Sequence, residues 1–129
     1  MGIYKYTESP IPDVPPIPLL PDVTILKPEE EIGRVRYGKI DTGADVTIIP
    51  QNVVDELKLF PAGEVEIRGY EGNVSIKKTY WVTIIIEEYK VFVKVISSVR
   101  THILIGRDIL KELIVILNGK ESIFEIKDP

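Results

Sequence analysis

The apolar positions of this chain fall into short runs separated by turn signals, and from about residue 32 onward that rhythm dominates. EIGRVRYGKI, VTIIP, EVEIRG, SIKKTYWVTIIIEE, YKVFVKVIS and THILIG each read as a β-strand, rich in β-branched residues and bounded by Gly, Pro, Asn or Ser. Two stretches change period. PQNVVDELKL carries apolar residues at 53, 54, 57 and 59, which predicts a short helix beginning near Pro50. GRDILKEL predicts a second. The chain finishes as IVIL-NG-KESIFEI, where Asn118-Gly119 predicts a tight type I′ hairpin turn. Many short strands with two small helices indicate an all-β barrel or sandwich.

Residues 9–28, SPIPDVPPIPLLPDVTILKP, break the pattern with most of the prolines. Proline fixes φ and removes a donor, so residues 1–28 are expected to be an extended, PPII-like arm and residues 29–129 the folded domain. Ile17, Leu19, Leu20 and Val23 leave open that the arm packs across the domain or onto a second subunit.

Composition narrows the chemistry. A chain of 129 residues with 44% hydrophobic content amounts to one domain with a real core. Net charge −4 and a pI near 5.1 argue against nucleic acid or an anionic membrane as the main partner. With no cysteine and one histidine, His102, thiolate chemistry, disulfides and Cys- or His-rich metal sites drop out, and a Ser-His-Asp mechanism loses support. No cofactor is expected, because neither G-x-G-x-x-G nor G-x-x-x-x-G-K-[ST] occurs. The N-terminus lacks a signal-peptide pattern and no apolar run approaches membrane-spanning length, so a cytoplasmic protein is expected. The richness in Ile, Glu and Lys leans thermophilic.

Residues 39–50, KIDTGADVTIIP, hold the candidate chemistry. A strand ending at Ile40 delivers Asp41 to the edge of the core, and Gly43 lets the backbone turn without putting a side chain in a ligand's way. Thr42 supplies a hydroxyl that can fix the loop. One carboxylate can bind or deprotonate, but amide hydrolysis also needs an acid. Two copies of the loop meeting on a twofold axis would supply both roles, since two carboxyls that close cannot both ionise.

Asp-Thr-Gly alone is a weak signal. Some sixty residues later, however, comes ILIGRDIL (103–110), and a glycine-bearing hairpin lies between the two. Together these resemble the retropepsin-like aspartic proteases over about residues 32–117. The Pro-rich arm lies outside the resemblance, and the hairpin after residue 113 is longer than in the retroviral members.

The resemblance implies a closed acid-protease-type barrel, one lobe per chain, active as a homodimer on extended peptide or unfolded protein. It implies that Asp41 is the catalytic carboxylate, that Thr42 links the subunits beneath the dyad and that Gly43 approaches the substrate backbone. Asp45 and Arg107 fall on positions that form a structural ion pair; the plain alternative is two solvated charges. Gly106 would sit where the chain crosses under the catalytic loop. Gly69, Tyr70, Glu71 and Gly72 would form the tip of a flap closing over substrate, less glycine-rich than in retroviral members, or else an ordinary exposed turn. Ala44, Ile48 and Leu104 would line an apolar groove, and His102 would lie near its wall, unless it is simply an exposed or satisfied histidine. Tyr80 and Trp81 are expected in the core. The strands LIVIL and SIFEI are the leading candidates for a dimer sheet. A catalytically silent module that kept the fold for binding or dimerisation is the competing function.

Overall fold

The computed structural model describes residues 2–69 and 71–127. Ten strands and two short helices follow in the order β1 (Gly2–Lys5), β2 (Leu19–Leu26), β3 (Gly33–Ile40), β4 (Ile48–Pro50), α1 (Gln51–Leu57), β5 (Gly63–Arg68), β6 (Val74–Ile86), β7 (Tyr89–Ser98), β8 (Ile103–Ile105), α2 (Arg107–Leu110), β9 (Ile114–Asn118) and β10 (Ile123–Lys127). The larger sheet runs β2-β3-β8-β4-β7-β6-β5, and an added β2–β6 pairing closes six of its strands into a barrel. β5 stays outside the ring, paired only with the first half of β6 as a projecting hairpin. A three-stranded sheet, β1-β10-β9, covers one side.

Strict alternation fills the barrel. Along β6, Tyr80, Val82, Ile84 and Ile86 are buried while the intervening residues face outward. They meet Leu20, Val23 and Ile25 of β2, Val95 of β7 and Ile103 and Ile105 of β8 in one core. α1 starts directly after Pro50 and places Val53, Val54 and Leu57 on this core, with Leu59 just beyond, which matches the predicted apolar positions. Its last turn closes on Lys58 in the left-handed region (φ 52°) without a glycine.

Three expectations need correction. Residues 1–28 do not form a separate arm: β2 lies inside that range and is a barrel strand, paired with both β3 and β6. Its proline is accommodated by a register shift between Leu20 and Val23, with Asp22 at φ 57°, so both flanking apolar residues still point inward. Only residues 6–18, between β1 and β2, are irregular, and even they are tied together by two backbone hydrogen bonds between Thr7 and Ile17 (both 2.8 Å). Trp81 is not in the core; it is 41% exposed on the outer face of β6, stacked on Phe92 at 4.7 Å. The last hairpin is not closed by a two-residue Asn-Gly turn, because Asn118 pairs with Ile123 across a four-residue loop. There the Asn118 side chain accepts from the Glu121 amide (3.1 Å), and the positive φ falls on Ser122 (54°).

The terminal strands form a sheet within the chain. β10 is the middle strand of its sheet, with β1 on one side and β9 on the other in the same chain. Phe124 and Ile126 are buried in the core, with Tyr4 stacked on the Phe124 ring at 5.2 Å. The terminal strands are therefore part of the fold of one chain.

Candidate active site

The topology itself brings the candidate loop and Gly106 together. β8 lies between β3 and β4, and it runs parallel to β3. The segment from Asp41 to Thr47, which connects β3 to β4, must therefore cross the end of β8. Gly106 lies at that end. A Cβ on Gly106 would meet the Val46 carbonyl carbon and oxygen at 2.8 Å and the Ala44 oxygen at 3.0 Å. Its dihedrals (φ −89°, ψ −179°) suit any residue, so glycine is required here for space alone.

Backbone bonds fix the start of the loop. The Asp41 amide donates to Ile105 O (3.0 Å), and the Arg107 amide donates to Ala44 O (2.9 Å). Asp41 is half-buried, and its Oδ1 accepts from the Gly43 amide at 3.0 Å, a local turn that sets the carboxylate's direction. Thr42 and Gly43 are exposed and Ala44 is half-buried.

Two further links join the loop to α2. Arg107 donates through Nη1 to Thr42 O (2.7 Å) and pairs through Nη2 with Asp45. The second link centres on the buried Thr47. The Thr47 hydroxyl donates to Asp108 Oδ1 (2.7 Å) and accepts from the Gly106 amide (3.1 Å). The other Asp108 oxygen accepts from the Thr47 amide (3.0 Å). Neither Thr47 nor Asp108 stands out in the sequence. The available signal was the acidic residue at the head of the short helix in GRDIL, with its partner 61 residues away.

The two links should differ in strength. Thr47 is fully buried, whereas the Asp45 side chain is 84% exposed. Thr47→Val leaves the buried Gly106 amide without its acceptor, takes from Asp108 Oδ1 one of its two donors, and is expected to cost about 1–3 kcal/mol. Asp45→Asn is expected to cost no more than about 1 kcal/mol. Denaturant unfolding of both variants checks that order.

The remaining sequence candidates are dispersed around this loop. Ile48 and Leu104 pair across β4 and β8; Ile48 is half-buried, but Leu104 is only 8% exposed and offers a groove little surface. His102 is half-buried just before β8. Burial first, then the positive charges of Arg100 and Lys39, hold its imidazole below the ordinary range. The fold therefore favours neutral His102. Its contribution is complete above the ordinary histidine value near 6.5 and is lost as the pH falls through the lower folded value. His102→Gln should flatten the decline of Tm between about pH 8 and pH 5, as thermal unfolding would read.

Gly69, Glu71 and Gly72 lie at the exposed tip of the β5–β6 hairpin; Tyr70 lies outside the described residues. The Gly69 amide donates to Asn73 O (2.8 Å) and the Gly72 amide to Gly69 O (3.1 Å). Gly72 takes φ +81°, which explains the glycine. Among the described residues, no group of His, Cys, Asp or Glu could hold a metal ion, and no helix is long and apolar enough to cross a membrane.

The family model for the retroviral aspartyl protease matches residues 32–118, and the chain belongs to that family. Solved structures agree on the fold. The solution structure of a simian foamy virus (mac) protease superposes with a TM-score of 0.54 at 19% identity, covering 70% of this chain and 90% of that one. The EIAV protease in complex with an inhibitor gives 0.54 at 20% identity, covering 81% and 92%. The foamy viral protease-reverse transcriptase bound to an RNA/DNA hybrid gives 0.55 at 21% identity; 74% of this chain is covered but only 12% of that larger one. Identities this low speak for the shared barrel alone. No protein of curated function matches the sequence.

Proposed function

We propose that this chain is an aspartic endopeptidase, acting as a homodimer in which the Asp41 carboxyls of two subunits share a proton and activate one water. The observation that carries this reading is the contrast between the two carboxylates of one loop. Asp45 is matched by Arg107, whereas no basic side chain among the described residues pairs with Asp41, whose Oδ1 accepts from a backbone amide. A loop held by buried hydrogen bonds thus presents an acid without a counter-charge, in a family of aspartyl proteases. With one carboxyl protonated and its twin ionised, the first acts as acid and the second as base on the water. The β5–β6 hairpin would serve as the flap, and an extended peptide would bind between it and the loop as an added strand.

The test is cleavage of an unfolded protein from about pH 2 to pH 7, beside Asp41→Asn. Acid-favoured cleavage that disappears in the variant supports the reading. A folded, dimeric wild type that cleaves nothing favours the binding module instead.

Dimerisation needs a surface, and the terminal sheet offers one. Its core side holds Phe124 and Ile126, while Ile3, Ile114 and Ile116 stand 67%, 47% and 43% exposed. A second copy packed on that face would cover them. Ile116→Glu should shift the protein toward monomer in sedimentation and make activity fall steeply on dilution, without changing the circular dichroism of the fold.

A further inference from the structure

Among the described residues, Thr79 Oγ1 is the one buried side-chain polar atom without a hydrogen-bond partner. Thr79 is only 6% exposed, so this hydroxyl has been taken from water without compensation. Its location gives a reason. Thr79 lines a cavity of about 270 Å³ with Val46, Gly63, Val65 and Ile96, and with Glu64 and Lys94 among its walls. Val46 directly follows Asp45 on the Asp41 loop, while Gly63, Glu64 and Val65 open strand β5 of the projecting hairpin. The cavity therefore sits where the exit of the candidate catalytic loop meets the base of the hairpin, beside the path of an extended peptide. Opposite Thr79 in the β5–β6 pairing stands Gly63, which brings no side chain toward the hydroxyl; even a Cβ there would come within 3.6 Å of Oγ1.

We infer that Thr79 is a specificity-determining residue, reading a neutral hydrogen-bonding side chain of the substrate, an amide or a hydroxyl, in the cavity between Val46 and β5. The inference rests on the endopeptidase reading. A hydroxyl can donate or accept, so it satisfies either group of such a side chain. The charges at the cavity do not select a charged guest: Glu64 and Lys94 carry opposite signs, and the Lys94 ammonium lies over the Trp81 ring at 5.2 Å. An aliphatic guest would leave Thr79 Oγ1 unpaired, and this loss sets the discrimination. The substrate is thus expected to be polar at one defined position beside the cleaved bond, within an otherwise apolar groove.

Cleavage-site mapping by mass spectrometry on a library of unfolded peptides tests this with wild type, Thr79→Val and Thr79→Ser. Wild type should enrich Gln, Asn, Ser or Thr at one fixed position relative to the cleaved bond. Thr79→Val, which keeps the shape and removes the hydroxyl, should reverse that enrichment by roughly tenfold in kcat/KM toward aliphatic residues. Thr79→Ser should retain it. In the absence of peptide, Thr79→Val should melt at or above the wild-type temperature, because no internal bond is lost. Cleavage with the same profile in all three proteins, or a Thr79→Ser profile equal to that of Thr79→Val, overturns the inference and leaves the endopeptidase reading standing. No cleavage by wild type overturns both.

Discussion

Gly106→Ala is expected to abolish activity and to lower Tm well below that of a Gly38→Ala protein. The added Cβ would press on the Val46 carbonyl and the Ala44 oxygen, which are backbone atoms of the loop that carries Asp41. Backbone cannot swing aside as a side chain can. The loop must therefore lift, and lifting it breaks the bond from the Arg107 amide to Ala44 O (2.9 Å) and the one from the Gly106 amide to the Thr47 hydroxyl (3.1 Å). Overpacking alone costs about 1–3 kcal/mol, and each broken buried bond adds about 1 kcal/mol or more. Gly38→Ala is the control. Its Cβ would crowd Ile105 Cδ1 (2.6 Å) and Val23 Cγ2 (3.0 Å), which are side-chain methyls that can shift within the core. Calorimetry should find Gly38→Ala the milder variant. A Gly106→Ala protein with wild-type Tm and activity would mean that the crossing of loop over strand is looser than these distances require.

How far the sequence disclosed this arrangement varied with the range over which its signals act. Where periodicity is local and strong, it was legible: the buried positions of α1 and the strand character of β6 follow from residue spacing. The same apolar run misled on Trp81, since Tyr80-Trp81-Val82 reads as a wholly buried stretch, whereas in a closed barrel only alternate residues point inward. β2 was hidden by its proline. A bulge at Asp22 absorbs the irregularity that proline imposes, and no local rule distinguishes such a bulged strand from an extended arm. Asp-Thr-Gly and Ile-Gly-Arg could be recognised as paired motifs, so their meeting around Gly106 was anticipated. The Thr47–Asp108 bridge and the unpaired Thr79 hydroxyl were not, because each depends on partners brought in, or withheld, by the tertiary fold.

Mixing wild-type with Asp41→Asn subunits separates a shared dyad from two independent sites. If each chain worked alone, activity would fall in proportion to the wild-type fraction. If each site needs both carboxylates, only wild-type pairs cleave, and activity follows the square of that fraction: an equal mixture keeps about a quarter of the activity, not about half. The substitution is suited to this purpose. Asn keeps an oxygen able to accept from the Gly43 amide (3.0 Å), so the turn at residues 41–43 survives while the acid–base function is lost. Subunits must exchange for the test to be fair, and unfolding and refolding the two chains together ensures it. A linear dependence after co-refolding would place the whole reaction within a single chain, where Asp41 would need a second acid from its own barrel. A quadratic dependence, combined with loss of activity on diluting Ile116→Glu, would locate the reaction at an axis that the terminal sheet holds together.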